Sequence, residues 1–179
     1  MNTYFTKEND GDVVLFLHGW GADSDAFGAL TMQLTNYKCI SIDFWGFGKS
    51  SEPNDANGWS VVDYANNLAE FMTEHNLQYC NIVAHSFGGR VAIVLSALYP
   101  HLVKRLVLLS SAGLRRFSLK RFCKVRAYKF KKFLVRHNIL SASRLIDSGS
   151  QDYKNCSVVM KKTFIKVVNQ DLSRYARLI

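Results

Sequence analysis

The chain has 179 residues, 48% of them apolar, enough for one domain with a real core and too hydrophobic for a disordered segment. It holds no run of about 18 uncharged apolar residues, so no membrane-spanning helix is expected, and its polar start, Met1 to Gly11, lacks the layout of a secretory leader. The charge is uneven: residues 1–114 carry 6 Lys/Arg against 11 Asp/Glu (−5), residues 115–179 carry 17 against 3 (+14), and the net is +9.

In chain order, residues 12–19 form a short apolar run closed by glycine, as in a strand buried on both faces of a parallel sheet. A helix is predicted near 24–35 and a second strand at 38–43. A helix over about 60–75 follows, with Ser60 as its cap and Val61, Tyr64, Leu68 and Phe71 at helical spacing. A third strand is predicted at 80–84, a helix from Ser86 to Tyr99 stopped by Pro100, and a fourth strand at 103–109. This alternation implies right-handed crossovers and an α/β fold with a parallel sheet. Ligand sites in such sheets lie at the carboxyl ends of the strands. After Gly113 the basic part reads as helices over 114–136, 141–148 and 156–168, giving expected units of 1–113 and 114–179. The four cysteines, Cys39, Cys80, Cys123 and Cys156, form no CxxC pair and have no histidine at ligand spacing. Free thiols, a cytoplasmic location and no metal are expected.

Three motifs sit at strand ends. Ala84-His85-Ser86-Phe87-Gly88-Gly89 is a G-x-S-x-G variant between a strand and a helix. A serine on such a sharp turn needs a strained backbone and small neighbours two residues away, here Ala84 and Gly88. It also stands at a helix N-terminus, where free amides favour developing negative charge. Taken alone, the motif leaves an ordinary helix-capping serine as the lesser alternative. His18-Gly19-Trp20-Gly21 follows the first strand as a tight turn. Asp43 to Ser50 follows the second; its tail Gly48-Lys49-Ser50 imitates a phosphate loop, but Asp43 stands where that loop needs glycine. A structural loop shaping the pocket floor is expected there.

Together, Leu17 to Gly21, Asp43 to Ser50 and Ala84 to Gly89, in this order and spacing, resemble the α/β-hydrolase fold family, in particular its small bacterial carboxylesterase-like members. The resemblance covers most of residues 12–113. It implies Ser86 as nucleophile, an oxyanion hole from the backbone N–H groups of Trp20 and Phe87, and the Trp20 side chain against the substrate. His18, Gly19, Gly21, His85 and Gly88 complete the motifs. It implies a small acyl or ester substrate, no cofactor and no metal, with residues after 113 forming a helical cap.

The family orders its catalytic groups Ser, then Asp or Glu, then His. After Ser86 the acids are Asp147, Asp152 and Asp171, and the histidines, His101 and His137, precede all three. The expectation is therefore a partial, C-terminally truncated α/β-hydrolase: an impaired serine hydrolase, or an inactive remnant that binds acyl ligands or an anionic surface. His85 is expected to turn away beneath Ser86, and His18 to orient the oxyanion loop. Without further strands, 103–109 becomes an uncovered edge that invites self-association. The aromatic-rich basic stretch 115–136 reads as amphipathic cap helices with solvated basic faces, with contact to an anionic membrane surface or to an anionic substrate as the alternatives. No recognised motif supports nucleic-acid binding.

Overall fold

The computed structural model describes residues 5–8 (backbone alone), 11–111, 113, 126, 130, 133, 135, 153 and 156–179. The chain divides into two compact units, Met1–Leu114 with Cys156–Ile179, and Arg115–Asn155. This differs from the division expected from charge in placing 156–179 with the core. Of the second unit, Arg126, Phe130, Phe133, Val135 and Tyr153 are described, and all are helical. The remainder of the helices expected over 114–136 and 141–148 lies outside the described residues.

The core unit is built on a five-stranded sheet. Its strands are β1 (Phe5–Glu8), β2 (Asp12–Leu17), β3 (Tyr37–Ile42), β4 (Cys80–His85) and β5 (Val103–Leu109), in the order β1-β3-β2-β4-β5. β2, β3, β4 and β5 are parallel, and β1 pairs antiparallel with β3, Phe5 opposite Ile42. All four expected apolar runs became parallel strands, and those of β2 and β3 are buried on both faces over their carboxyl halves. In β2, Leu15 and Leu17 enter the larger core, while Val14 and Phe16 meet Phe27 and Cys39 on the other face. Each such full burial contributes roughly 1.5–3 kcal/mol. β1 was not anticipated, since Phe-Thr-Lys-Glu carries no apolar run and takes its strand form from β3.

Helix α2 (Val61–Glu74) begins at the expected cap. The Ser60 hydroxyl accepts from the Asp63 amide, the Asp63 carboxylate accepts from the Ser60 amide at 2.7 Å, and Val61, Tyr64, Leu68 and Phe71 are buried. The helix expected over 24–35 is instead a 3-10 turn, Ser24–Phe27, and a single turn α1, Gly28–Thr31. Here the Ser24 amide is drawn to Asp43 at 2.6 Å, and the Thr31 hydroxyl folds back on the Gly28 carbonyl at 3.0 Å. α3 (Phe87–Leu98) follows β4.

Helix α4 (Val158–Asn169), capped by Ser157, and the short α5 (Ser173–Ala176) are tied to the core by polar contacts as well as apolar ones. Thr163 Oγ1 accepts from the Trp59 amide (3.0 Å), Gln170 Oε1 from the Val61 amide (2.9 Å), and the Gly113 carbonyl from the Leu172 amide (3.0 Å). The Arg90 guanidinium, on α3, donates to the Val167 carbonyl in the last turn of α4 (2.9 Å), as a cation at a helix C-terminus should. Met160, Val167, Leu172 and Tyr175 are buried. No described helix is long and apolar enough to cross a membrane.

Candidate active site

β2 lies between β3 and β4, so the chain leaves β2 for one neighbour and crosses back to the other. The crevice between the carboxyl ends of β2 and β4 is thus a topological switch point. His18-Gly19-Trp20 and His85-Ser86-Phe87 are the loops that meet there.

Ser86 has φ 47° and ψ −102°. A non-glycine residue there carries a strain on the order of 1–3 kcal/mol. Its surroundings hold it in place. The Ser86 amide donates to the Leu109 carbonyl at the end of β5 (3.0 Å), and the Gly88 amide donates to the His18 carbonyl (3.0 Å). A Cβ on Gly88 would collide with the carbonyl oxygens of Leu17 and His18, so only glycine lets α3 approach β2 this closely. The Ser86 side chain makes no capping hydrogen bond, and an ordinary N-cap would have extended backbone. The simple helix-cap reading of Ser86 therefore fails.

Among the described residues, the amides of Trp20 and Phe87 donate no hydrogen bond. The Trp20 ring meets Phe47, Phe87 and Phe164 edge-on, with centroids 4.9–5.4 Å apart. Phe44, Tyr64, Trp45 and Trp59 extend this aromatic cluster beneath the loops. Gly19 lies against the elbow. A Cβ built there would sit 2.8 Å from His85 Nδ1 and 3.6 Å from Ser86 Cβ. His85 was expected beneath the elbow. It is exposed, with its ring beside Gly19. His85 continues the alternation of β4, in which Asn81 and Val83 are the less buried residues, and so stands on the open side.

His18 is buried, and burial holds its pKa below the usual value of 6.5. Nδ1 lies 2.7 Å from the Gly19 carbonyl, and Nε2 accepts from the Phe44 amide at 3.0 Å. This pairing assigns a neutral imidazole with its proton on Nδ1. Its partners make it a strut between the loops after β2 and β3, with no nitrogen left for proton transfer.

The loop 43–50 is organised around Asp43, whose role the sequence reading missed. Oδ1 accepts from the Ser24 amide (2.6 Å), Oδ2 from the Lys49 amide (2.8 Å), and the Asp43 carbonyl from the Ser50 hydroxyl (2.6 Å). The Lys49 amide, one of those a phosphate loop would turn to its ligand, is occupied by the chain's own carboxylate. Phe44 and Phe47 both meet Phe87 and His18.

The other candidate bases are elsewhere or outside the description. His101 is exposed in the turn before β5, at the amino end of the sheet. His137, Asp147 and Asp152 lie outside the described residues. Asp171 accepts from the Ser173 amide (2.9 Å) and hydroxyl (2.6 Å), starting α5. The sequence reading also missed Ser111, whose buried hydroxyl has no hydrogen-bond partner among the described residues and which crowds Gly89 of the elbow. Its signal was its place just beyond the carboxyl end of β5. Among the described residues, no group of three or more His, Cys, Asp or Glu is placed to hold a metal ion.

Comparison with known proteins agrees with this architecture. A serine hydrolase-like protein of Danio rerio is 36% identical over 104 residues, 58% of this chain and 32% of that protein. Lipase 1 of Psychrobacter immobilis is 35% identical over 104 residues, again 58% of this chain and 32% of that protein. The chain spans about a third of the length of these curated relatives. An esterase from Exiguobacterium antarcticum shares the fold, with TM-score 0.69, 20% identity, and coverage of 96% of this chain and 71% of that one. The α/β hydrolase fold family itself matches residues 12–135. With this match, the parallel sheet and the strand–turn–helix at Ser86, the chain belongs to the α/β hydrolase fold family.

Proposed function

We propose that Ser86 is the nucleophile of a site for esters or related small acyl substrates. The observation that carries this is the strained backbone at Ser86, held without a side-chain capping bond beside two amides that, among the described residues, donate no hydrogen bond. In the step, Ser86 Oγ bonds to the acyl carbon and its proton passes to solvent. The carbonyl oxygen becomes an oxyanion that the Trp20 and Phe87 amides stabilise. The bond to the alcohol breaks, leaving an acyl-enzyme that water hydrolyses. The lipase and serine hydrolase-like relatives support an ester substrate. The Trp20 ring forms the acyl-side wall.

The reaction in this chain is weak. Within these 179 residues no histidine follows an acid after Ser86, and His18 is committed to its amide and carbonyl partners. A serine without a base is a poor nucleophile. Oxyanion stabilisation and binding alone leave an acceleration on the order of 10³–10⁴ over water. That same commitment of His18 favours a second reading, a catalytically inactive chain that binds acyl ligands.

The test is p-nitrophenyl acetate with the wild-type chain beside Ser86→Ala. The expected result is slow release of p-nitrophenol with one acetyl group on Ser86, both absent in Ser86→Ala. Equal, near-background rates and no acetylation would overturn the catalytic reading and favour the binding one.

A further inference from the structure

The two amides beside Ser86 belong to residues with unequal support. Phe87 opens α3, its ring is buried, and the rings of Phe44, Phe47 and Tyr64 lie 5.0–5.8 Å from it. Trp20 stands in a loop. The Gly19 carbonyl accepts from His18 Nδ1 (2.7 Å) and from the Ala22 amide (3.2 Å), with Trp20 and Gly21 at the tip of the turn. A peptide unit is planar and trans, so these bonds to the Gly19 carbonyl aim the Trp20 N–H the opposite way. They anchor one end of that unit. Past the other end, Gly21 has φ 77°, and a Cβ built on it would meet nothing within 4 Å among the described residues. The second anchor is therefore the Trp20 side chain.

The indole meets three phenyl rings at steep angles: Phe47 at 4.9 Å and 82°, Phe87 at 5.4 Å and 80°, and Phe164 at 5.1 Å and 71°. Edge-on contact is a geometry that aromatic pairs prefer, and each such neighbour limits how the indole can turn. Phe47 and Phe87 approach from the loop after β3 and from α3. Phe164 comes from α4, which is seated closely enough to be a fixed support. Along this helix Met160 is buried against Gly46, Thr163 Oγ1 accepts from the Trp59 amide (3.0 Å), and the Val167 carbonyl accepts from Arg90 (2.9 Å). Gly46 and Gly58 both have positive φ, and a Cβ on them would strike Met160 and Thr163 respectively, so both loops run in contact with α4. We propose that Phe164 is a positioning residue: it holds the Trp20 ring and, through it, keeps the Trp20 amide aimed at the oxyanion formed at Ser86. Phe164 acts through Trp20 and touches no reacting atom. The chemistry of this role rests on the Ser86 reading, and its geometry does not.

The test uses the full chain labelled with 15N-tryptophan, whose three backbone signals are those of Trp20, Trp45 and Trp59. Trp20→Phe identifies the first. Phe164→Leu keeps an apolar side chain on α4 and removes the ring edge. Its Trp20 amide is expected to fall from an order parameter of about 0.85 to below about 0.6, while Trp45 and Trp59 stay rigid. Single-turnover acetylation of Ser86 by p-nitrophenyl acetate is expected to slow about 10–100-fold at saturating ester, with the half-saturating concentration unchanged, because the donor matters in the transition state and not in binding the ester. Phe164→Tyr keeps the ring edge at this partly buried position and is expected to restore both the rate and the order parameter. If no protein is acetylated, the Ser86 reading fails and the Trp20 amide alone decides the role of Phe164. A Trp20 amide as rigid in Phe164→Leu as in the wild type overturns the proposal. So do loosening of all three tryptophans together, a reactive wild type whose rate Phe164→Leu leaves unchanged, and a Phe164→Tyr variant no better than Phe164→Leu.

Discussion

Two loops at the carboxyl ends of neighbouring strands are built on opposite terms. In the loop 43–50, Asp43 satisfies amides from Ser24 and Lys49 and the backbone is held by its own polar groups. At the elbow, Ser86 sits in a costly conformation and the amides of Trp20 and Phe87 donate no hydrogen bond among the described residues. The first loop contributes stability, and the second draws on it. Strain and unpaired donors persist where surrounding structure over-determines them, and here the surrounding structure includes the Asp43 loop through Phe44, Phe47 and His18.

The largest break in this contrast is Asp43→Asn. An amide group in place of one carboxylate oxygen faces a backbone N–H donor, and a buried donor left unsatisfied costs on the order of 1–3 kcal/mol. Urea unfolding is expected to show a loss of about 3 kcal/mol; an unchanged midpoint would mean that the loop stands without its anchor.

A smaller effect comes from His18 through pH. Its folded pKa lies below the unfolded 6.5, so below that value the unfolded chain takes up a proton that the folded chain refuses. Stability from this group is whole above about pH 6.5 and is lost as pH falls further, with a slope of at most about 1.4 kcal/mol per unit. His18→Asn should remove that part of the slope between about pH 7.5 and 5. Identical slopes in the two proteins would count against a buried neutral imidazole.

The smallest change has the opposite sign. Ser86→Gly relieves the positive φ, and after the entropy gained by the unfolded glycine chain a net gain of about 1 kcal/mol is expected. A loss of stability would mean that the elbow stores no strain.

The elbow, the Ser60 cap and the four parallel strands were legible because their signals are local: a small-residue turn, a capping pair, runs of apolar residues. What was illegible depends on distant partners. β1 is a strand because β3 lies beside it. The helix expected at 24–35 shortened to single turns, where Asp43, nineteen residues on, takes the Ser24 amide. His85 lies exposed against Gly19, which comes from the loop after β2, rather than beneath the elbow. Residues 156–179 carry the basic composition of the preceding segment, yet their contacts are with Trp59, Val61, Arg90 and Gly113.

Those last contacts also separate what the fold needs from what it merely carries. The core unit resumes at Cys156 and closes on itself through the Gly113–Leu172 and Arg90–Val167 bonds, which straddle the whole of 115–155. The entropy of bringing the ends of such an insertion together grows only with the logarithm of its length, about 0.6 kcal/mol for each doubling. Residues 115–155 can therefore be lengthened or shortened at small expense to the frame that these bonds close.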